Sequence, residues 1–406
     1  MMASPEVHRQ PDLLAGIRVI DLTSVVFGPL ATQILADYGA EVIKIEPPTG
    51  DTVRYTGRFR NRGMGAIFLN INRGKKSVVL DLKRPDARRV MLRLLAGADV
   101  FVHNVRREPV ARLGLSAQDV LAVNPSILYC SATGFSDSSP LALEPAIDDV
   151  IQVASGLAAL NADADGTPRF VPTLVADKTA AYGLSNAILA ALVRRARTGR
   201  GGVVDVPMFD TMAAYLLVEH LQADLFVPSQ GSAGYARVGA EGRRIYRAAD
   251  GYLSLTPYST AQWIAYFGAT GRAHMTTDPR VTDPVQRSAN IRDLYAMVAD
   301  VAPQRTVDEW IALCREIKIP AYRVISVAEM ARNPDLVRSG TIAQVDHPSE
   351  GRIKTLASPG FFDGLPARCA APAPLLGEHT HAVLGELGLS DAQIAALGAP
   401  ATGGAS

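Results

Sequence analysis

Cysteine is scarce in this chain, and a surplus of charge of either sign is missing. Cys130, Cys314 and Cys369 are the only three cysteines, an odd number with no short spacing, which argues against both a disulfide framework and a zinc site. That usage fits a reducing cytoplasm. The 41 Lys and Arg nearly cancel the 40 Asp and Glu, so no global field exists to hold nucleic acid or an anionic membrane. An anionic partner must be met by local clusters. No run of about 18 apolar residues occurs, and the opening MMASPEVHRQPDLLA carries charges and two prolines where a signal peptide has an apolar core. The expectation is a soluble, untargeted, cytoplasmic protein with no nucleic-acid and no membrane partner.

Familiar catalytic signatures are also lacking. There is no GxSxG, HExxH or CxxC, and the first strand-to-helix turn offers only Gly28 and Pro29 where a dinucleotide site wants GxGxxG. Nicotinamide and flavin cofactors are therefore not expected. Gly74-Lys75-Lys76-Ser77 resembles the tail of a phosphate loop, but the glycine five residues upstream is missing. His379 and His381 flank Thr380, a spacing that puts them on different sides of a helix, so they read as exposed polar histidines and not as metal ligands.

What is present is ample apolar material, 48% of 406 residues, enough for two or three packed domains. IRVIDL, a short loop, the helical LATQILADYGA and EVIKIEPP form a βαβ start, with Pro29 suited to a first helical turn and Gly39 to a helix end. The alternation continues through a strand Ser77 to Leu82, the helix RPDARRVMLRLLAGA, a strand ending at Asn104, the helix Ser116 to Val123 and the strand SILYCSATG. Such alternation implies an α/β fold: a Rossmann-like open parallel sheet with ligands at the carboxyl ends of its strands. Composition shifts to Gly, Ser and Pro between 226 and 242, and Asp250-Gly251 signals a hairpin turn. The expected division is a large domain over 1–225, a smaller α+β domain over 226–325, and a segment 326–406 that returns to complete the large one. That last segment reads as a strand IAQVDH, a turn SEGR and a closing helix SDAQIAALG.

Lys75, Lys76, Lys83, Arg84, Arg106, Arg107 and Arg112 fall at or just after strand ends, where they either receive a nucleotide phosphate or form a solvated surface. Asp177 precedes the apolar run AAYGLSNAILAALV, a helix expected to be buried nearly all round, with Arg194, Arg195 and Arg197 at its negative end and Gly199 just beyond. Asp177 reads either as an N-cap or as a desolvated carboxylate suited to acyl transfer.

Taken together these blocks resemble the class III CoA-transferases, the group of formyl-CoA:oxalate and carnitine CoA-transferases that includes the α-methylacyl-CoA racemases. The likeness runs through LAGIRVIDLTSVVFGPLATQILADYGAEVIKIEPP, NRGKKSVVLDLKRPDARRVMLRLLAGADVFVHN, VADKTAAYGLSNAILAALVRRARTGRGGVVDVPMFD, IPAYRVIS and APLLGEHT. The resemblance implies that Asp177 is the nucleophile, and that coenzyme A meets Val26, Phe27, Leu80, Asp81, Leu82, Lys83, Asn104, Val105, Arg106, Arg112, Thr133 and Gly134. It also implies an interlocked homodimer, acyl-CoA and a carboxylic acid as partners, and coenzyme A thioesters as substrates with no tightly bound cofactor. Pro47 stands where the formyl-CoA enzymes have an arginine, and their glycine-run loop is missing from 226 to 245. A succinyl-CoA-like donor with a short or branched dicarboxylate acceptor is therefore expected. The racemases use a His-Asp pair before an SG dipeptide; here Asp148 keeps the aspartate, but Ile147 replaces the histidine and cannot accept a proton. Racemase, acyl-CoA thioesterase and non-catalytic CoA-binding module are the alternative readings.

Overall fold

The computed structural model describes residues 12–397 apart from 164, 236–237, 239–242 and 370. Its first half alternates strands and helices: β1 (Arg18–Leu22), α1 (Phe27–Asp37), β2 (Glu41–Glu46), α2 (Ala66–Ile71), β3 (Lys76–Val79), α3 (Pro85–Ala96), β4 (Val100–His103), α4 (Arg107–Arg112), α5 (Ala117–Val123), β5 (Leu128–Thr133), α6 (Asp148–Ala154), α7 (Leu157–Leu160), α8 (Val175–Thr198), β6 (Gly202–Pro207) and α9 (Met208–His220). The strands form one parallel sheet in the order β3-β2-β1-β4-β5-β6. This is the expected Rossmann-like arrangement, and the order reverses between β1 and β4, where a crevice opens beyond the strands' carboxyl ends.

Apolar runs in the strands follow from burial on both faces. Val19, Val100, Val102, Leu128 and Cys130 pack against Ala31 and Leu35 of α1 and Ala180, Leu184 and Ile188 of α8. Their neighbours Ile20, Phe101 and Tyr129 point the other way, against Val90, Met91 and Leu94 of α3 and against Val383, Leu384 and Ile394 near the C-terminus. Strand β3 stops at Val79 and not at Leu82, because the chain turns there: Leu82 N–H donates to the Leu80 carbonyl and Lys83 N–H to Asp81 Oδ1. The long helix α8 differs from expectation as well. It buries one stripe through Ala180, Leu184, Ile188 and Leu192, while Tyr182 and Val193 stay exposed. It ends as its sequence implies, on Gly199 with φ of 69°, a left-handed conformation that glycine adopts without strain.

The chain divides into two compact units, Leu217–Asn333 and the chain on either side of it. The smaller unit holds an antiparallel sheet of β7 (Tyr246–Arg247), β8 (Tyr252–Leu255) and β9 (Ala321–Arg323), with a turn in which Ala248 N–H donates to the Gly251 carbonyl at 2.8 Å. Its own core stacks Tyr266 on Trp310 and Trp263 on Phe267. Part of the Gly-, Ser- and Pro-rich stretch expected at 226–242 lies outside the described residues. In the other unit, Ile342–His347 pairs antiparallel with Gly351–Leu356 about the turn read from SEGR. The closing helix Asp391–Ala396 starts from a capping box on Ser390 and Gln393. Among the described residues no helix is long and apolar enough to cross a membrane.

Candidate active site

The loop from β1 to α1 is held by buried charges. Asp21 Oδ2 accepts from Thr32 Oγ1 at 2.7 Å and from Lys75 Nζ at 3.0 Å, while Asp21 Oδ1 accepts from Thr23 N–H at 2.9 Å. Burial alone would raise the Asp21 carboxyl, but Lys75 and Lys44 beside it bring it down to about 2. Lys44 Nζ donates to the Thr23 carbonyl at 2.8 Å and lies 3.0 Å from Asp51 Oδ2. Asn104, at the end of β4, accepts from Ser24 N–H and donates to the Ser24 carbonyl, at 3.0 and 2.8 Å. Between these clamps Val25 is forced to φ of 70°, a region that a β-branched residue rarely occupies, and its N–H donates to Asp51 Oδ1 at 3.2 Å.

This network corrects one expectation. Lys75 is fully buried among Asp21, Pro29, Thr32 and Asn72, so it is a structural cation with no access to a phosphate. Burial lowers its ammonium to about 8, against the upward pull of Asp21. Lys76, half-buried, pairs with Glu41 beside the amino end of β3, away from the crevice. His379 and His381 are half-buried at the start of the helix Thr380–Glu386, not exposed, and His381 Nδ1 lies 3.1 Å from Asp391.

Beyond the carboxyl ends of β1, β4 and β5 opens a cleft of about 330 Å³, lined among others by Val25, Phe27, Arg106, Arg107 and Asp177. Asp177 is the third residue of α8 and not its N-cap, which is Leu174. Its side chain is 7% exposed, and among the described residues no hydrogen bond or ion pair engages the carboxylate. The backbone N–H of Asp177 instead donates to Asp148 Oδ1 at 3.0 Å, and Asp148 Oδ2 accepts from Gln152 Nε2 at 2.6 Å. Burial first, then the nearby Asp148 and Asp149, raise the Asp177 carboxyl to about 6. A buried carboxylate with no partner among the described residues is a stronger base and nucleophile than one in water.

Of the residues singled out from sequence, Phe27, Asn104, Arg106, Arg107, Thr133, Gly134, Ile147 and Asp177 line this one cleft. Val26 is buried as the N-cap of α1. Val105 lines an adjoining cleft of about 380 Å³ with His103, Tyr129 and Asp205. Leu80, Asp81, Leu82 and Lys83 lie past the end of β3, Leu80 buried and Lys83 exposed, and line neither cleft. Arg112 is exposed and pairs with Glu108 one turn back. Sequence reasoning missed the Asp148 contact to Asp177, which spans 29 residues and has no local signal, and the clamped Val25. Among the described residues no group of His, Cys, Asp or Glu could hold a metal ion.

Comparison with known proteins agrees with this architecture. The model of CoA-transferase family III matches residues 14–380. A succinate–glutarate CoA-transferase of Agrobacterium fabrum is 31% identical over 388 residues, covering 94% of this chain and 96% of its own. A formyl-CoA:oxalate CoA-transferase of Escherichia coli is also 31% identical, over 411 residues and 95% of this chain and 98% of its own. A crystal structure of a Mycobacterium tuberculosis protein superposes with a TM-score of 0.80 at 29% identity, covering 92% of this chain and 98% of that one. One of a CAIB/BAIF family protein from Brucella suis gives 0.78 at 29%, covering 93% and 100%. A match over nearly the whole chain, on a six-stranded sheet whose crevice holds a buried acid, identifies this protein as an enzyme of CoA-transferase family III.

Proposed function

We propose that the enzyme moves coenzyme A from a succinyl-CoA-like donor to a short or branched dicarboxylic acid, with Asp177 as the acylated carboxylate. The observation that carries this reading is the Asp177 side chain itself: buried, without a partner among the described residues, and raised to about 6 in a cleft at the sheet's carboxyl edge.

In the first step a carboxylate oxygen of Asp177 attacks the thioester carbonyl; the C–S bond breaks and CoA leaves as thiolate, giving a mixed anhydride. A thiol of pKa near 8.5 makes this departure far easier than that of an alkoxide. The thiolate then attacks the side-chain carbonyl carbon of Asp177, the donor acid leaves with the bridging oxygen's electron pair, and an aspartyl-CoA thioester remains. The acceptor carboxylate attacks that same carbon and expels thiolate, forming a second anhydride. Thiolate attack on the acceptor's acyl carbon releases the new acyl-CoA and restores Asp177. Each intermediate is sensitive to water, which the mostly enclosed position of Asp177 restricts.

The succinate–glutarate relative supports the choice of dicarboxylates, and Ile147, 63% exposed and unable to accept a proton, speaks against racemisation. The expected homodimer, interlocked in the manner of the family it resembles, is supported by exposed apolar side chains on α8 and around it, Tyr182, Val193, Tyr215, Val153, Leu160 and Phe170. Incubation with a panel of acyl-CoAs followed by intact mass measurement tests the chemistry. One added CoA that disappears in Asp177→Asn supports it, and no adduct with any donor refutes it.

A further inference from the structure

Two cations line the Asp177 cleft, and their engagements differ. Arg106 donates to the Leu143 carbonyl at 3.3 Å, which ties it to the chain after β5. Arg107 meets Asp137 Oδ2 at 3.4 Å, and these two side chains are 69% and 62% exposed. Water screens a pair so exposed, and ordering the long Arg107 side chain offsets much of its attraction. Arg107 can therefore change partner at little cost. A guanidinium fork binds a carboxylate best through two parallel N–H···O bonds, a geometry the single contact at 3.4 Å leaves unused.

Arg107 also stands where two clefts share a wall. Together with Thr133 and Asp137 it lines both the cleft of Asp177 and the adjoining one, whose other side is Val105, Val110 and Tyr129. An acid with one carboxyl group reacting at Asp177 can extend its remaining chain along the cleft that Arg107 also lines, or out into solvent. For a diacid, charge does not oppose the first course. When the acceptor enters, Asp177 is a neutral thioester, and the acids left in that cleft's lining, Asp137 and Glu144, are matched by Arg106 and Arg107.

Resting on the transferase reading above, we propose that Arg107 is a specificity residue: it releases Asp137 and takes the distal carboxylate of a dicarboxylic acid. An acid ending in a methyl group leaves the Arg107–Asp137 pair intact and gains nothing from it.

The test compares kcat/KM for two acceptors of equal length, glutarate and pentanoate, with one donor held at saturation so that the donor half-reaction is common to both. The wild type is expected to favour glutarate. Arg107→Gln should lower the glutarate-to-pentanoate ratio about tenfold or more, chiefly through KM, as loss of a charge-assisted hydrogen bond would. Arg107→Lys should restore part of the ratio, and Asp137→Asn, which removes the competing anion, should lower KM for glutarate. Arg107 is exposed, so matching thermal melting of the variants confirms that folding is intact. An unmoved ratio in Arg107→Gln, or a wild type that favours pentanoate, overturns the assignment while leaving CoA transfer at Asp177 standing. Failure of Asp177 to form an adduct with any donor overturns both.

Discussion

Asp177 sits where its charge is expensive. Because burial and the neighbouring carboxylates raise it to about 6, the rate of adduct formation should climb as pH rises through 6 and level off above, where the carboxylate is fully ionised. Asp148→Asn removes one of those neighbours and should displace this acid limb to lower pH in a stopped-flow or quenched assay. The same shift has a consequence for stability. A carboxyl raised in the folded state contributes stability below its unfolded value near 4 and loses it as pH rises through about 6. Asp177→Asn, neutral at all pH, should therefore be inactive yet more stable at pH 7.5, by on the order of 2 kcal/mol, with the gain vanishing near pH 4 in denaturant melts. The sequence placed Asp177 at the start of an apolar helix from the local pattern alone. It could not show the electrostatic setting, because Asp148 reaches Asp177 only through the packing of α6 on α8.

At the scale of elements, the cleft depends on close approaches between segments. A Cβ on Gly134 would come within 2.1 Å of the Ala146 Cβ, so Gly134→Ala must push the chain between β5 and α6, which leads into Ile147 and Asp148. Overpacking of this kind costs about 1–3 kcal/mol, and it should reduce the transfer rate more than it reduces Tm, since it shifts Asp148, which accepts from the Asp177 backbone N–H. The network under the β1–α1 loop should respond more severely. Lys75→Met removes the direct ion-pair partner of the buried Asp21 and leaves only Lys44 nearby, and a loss of about 3–5 kcal/mol is expected in urea unfolding. The strands and helices of the sheet were legible because burial on two faces writes continuous apolar runs. Lys75 was misread because a lysine beside a strand is ordinarily at the surface, and its partner Asp21 lies 54 residues away.

For the molecule as a whole, the homodimer proposed above would cover the exposed apolar side chains of α8 and its surroundings. Light scattering at working concentration should give twice the 43.2 kDa chain mass, and a monomer would contradict the dimer. The parallel sheet has one edge at β3, and the end of the chain closes it: His379 N–H donates to the Ser77 carbonyl at 3.0 Å, and Val79 N–H to Thr380 Oγ1 at 3.0 Å. Val79 and Thr380 are 301 residues apart. During synthesis at about 5–20 residues per second, the β3 edge thus waits on the order of 15–60 seconds for its cover. A nascent chain arrested before residue 377 carries an unsealed strand edge, the kind of surface that recruits chaperones and nucleates aggregation.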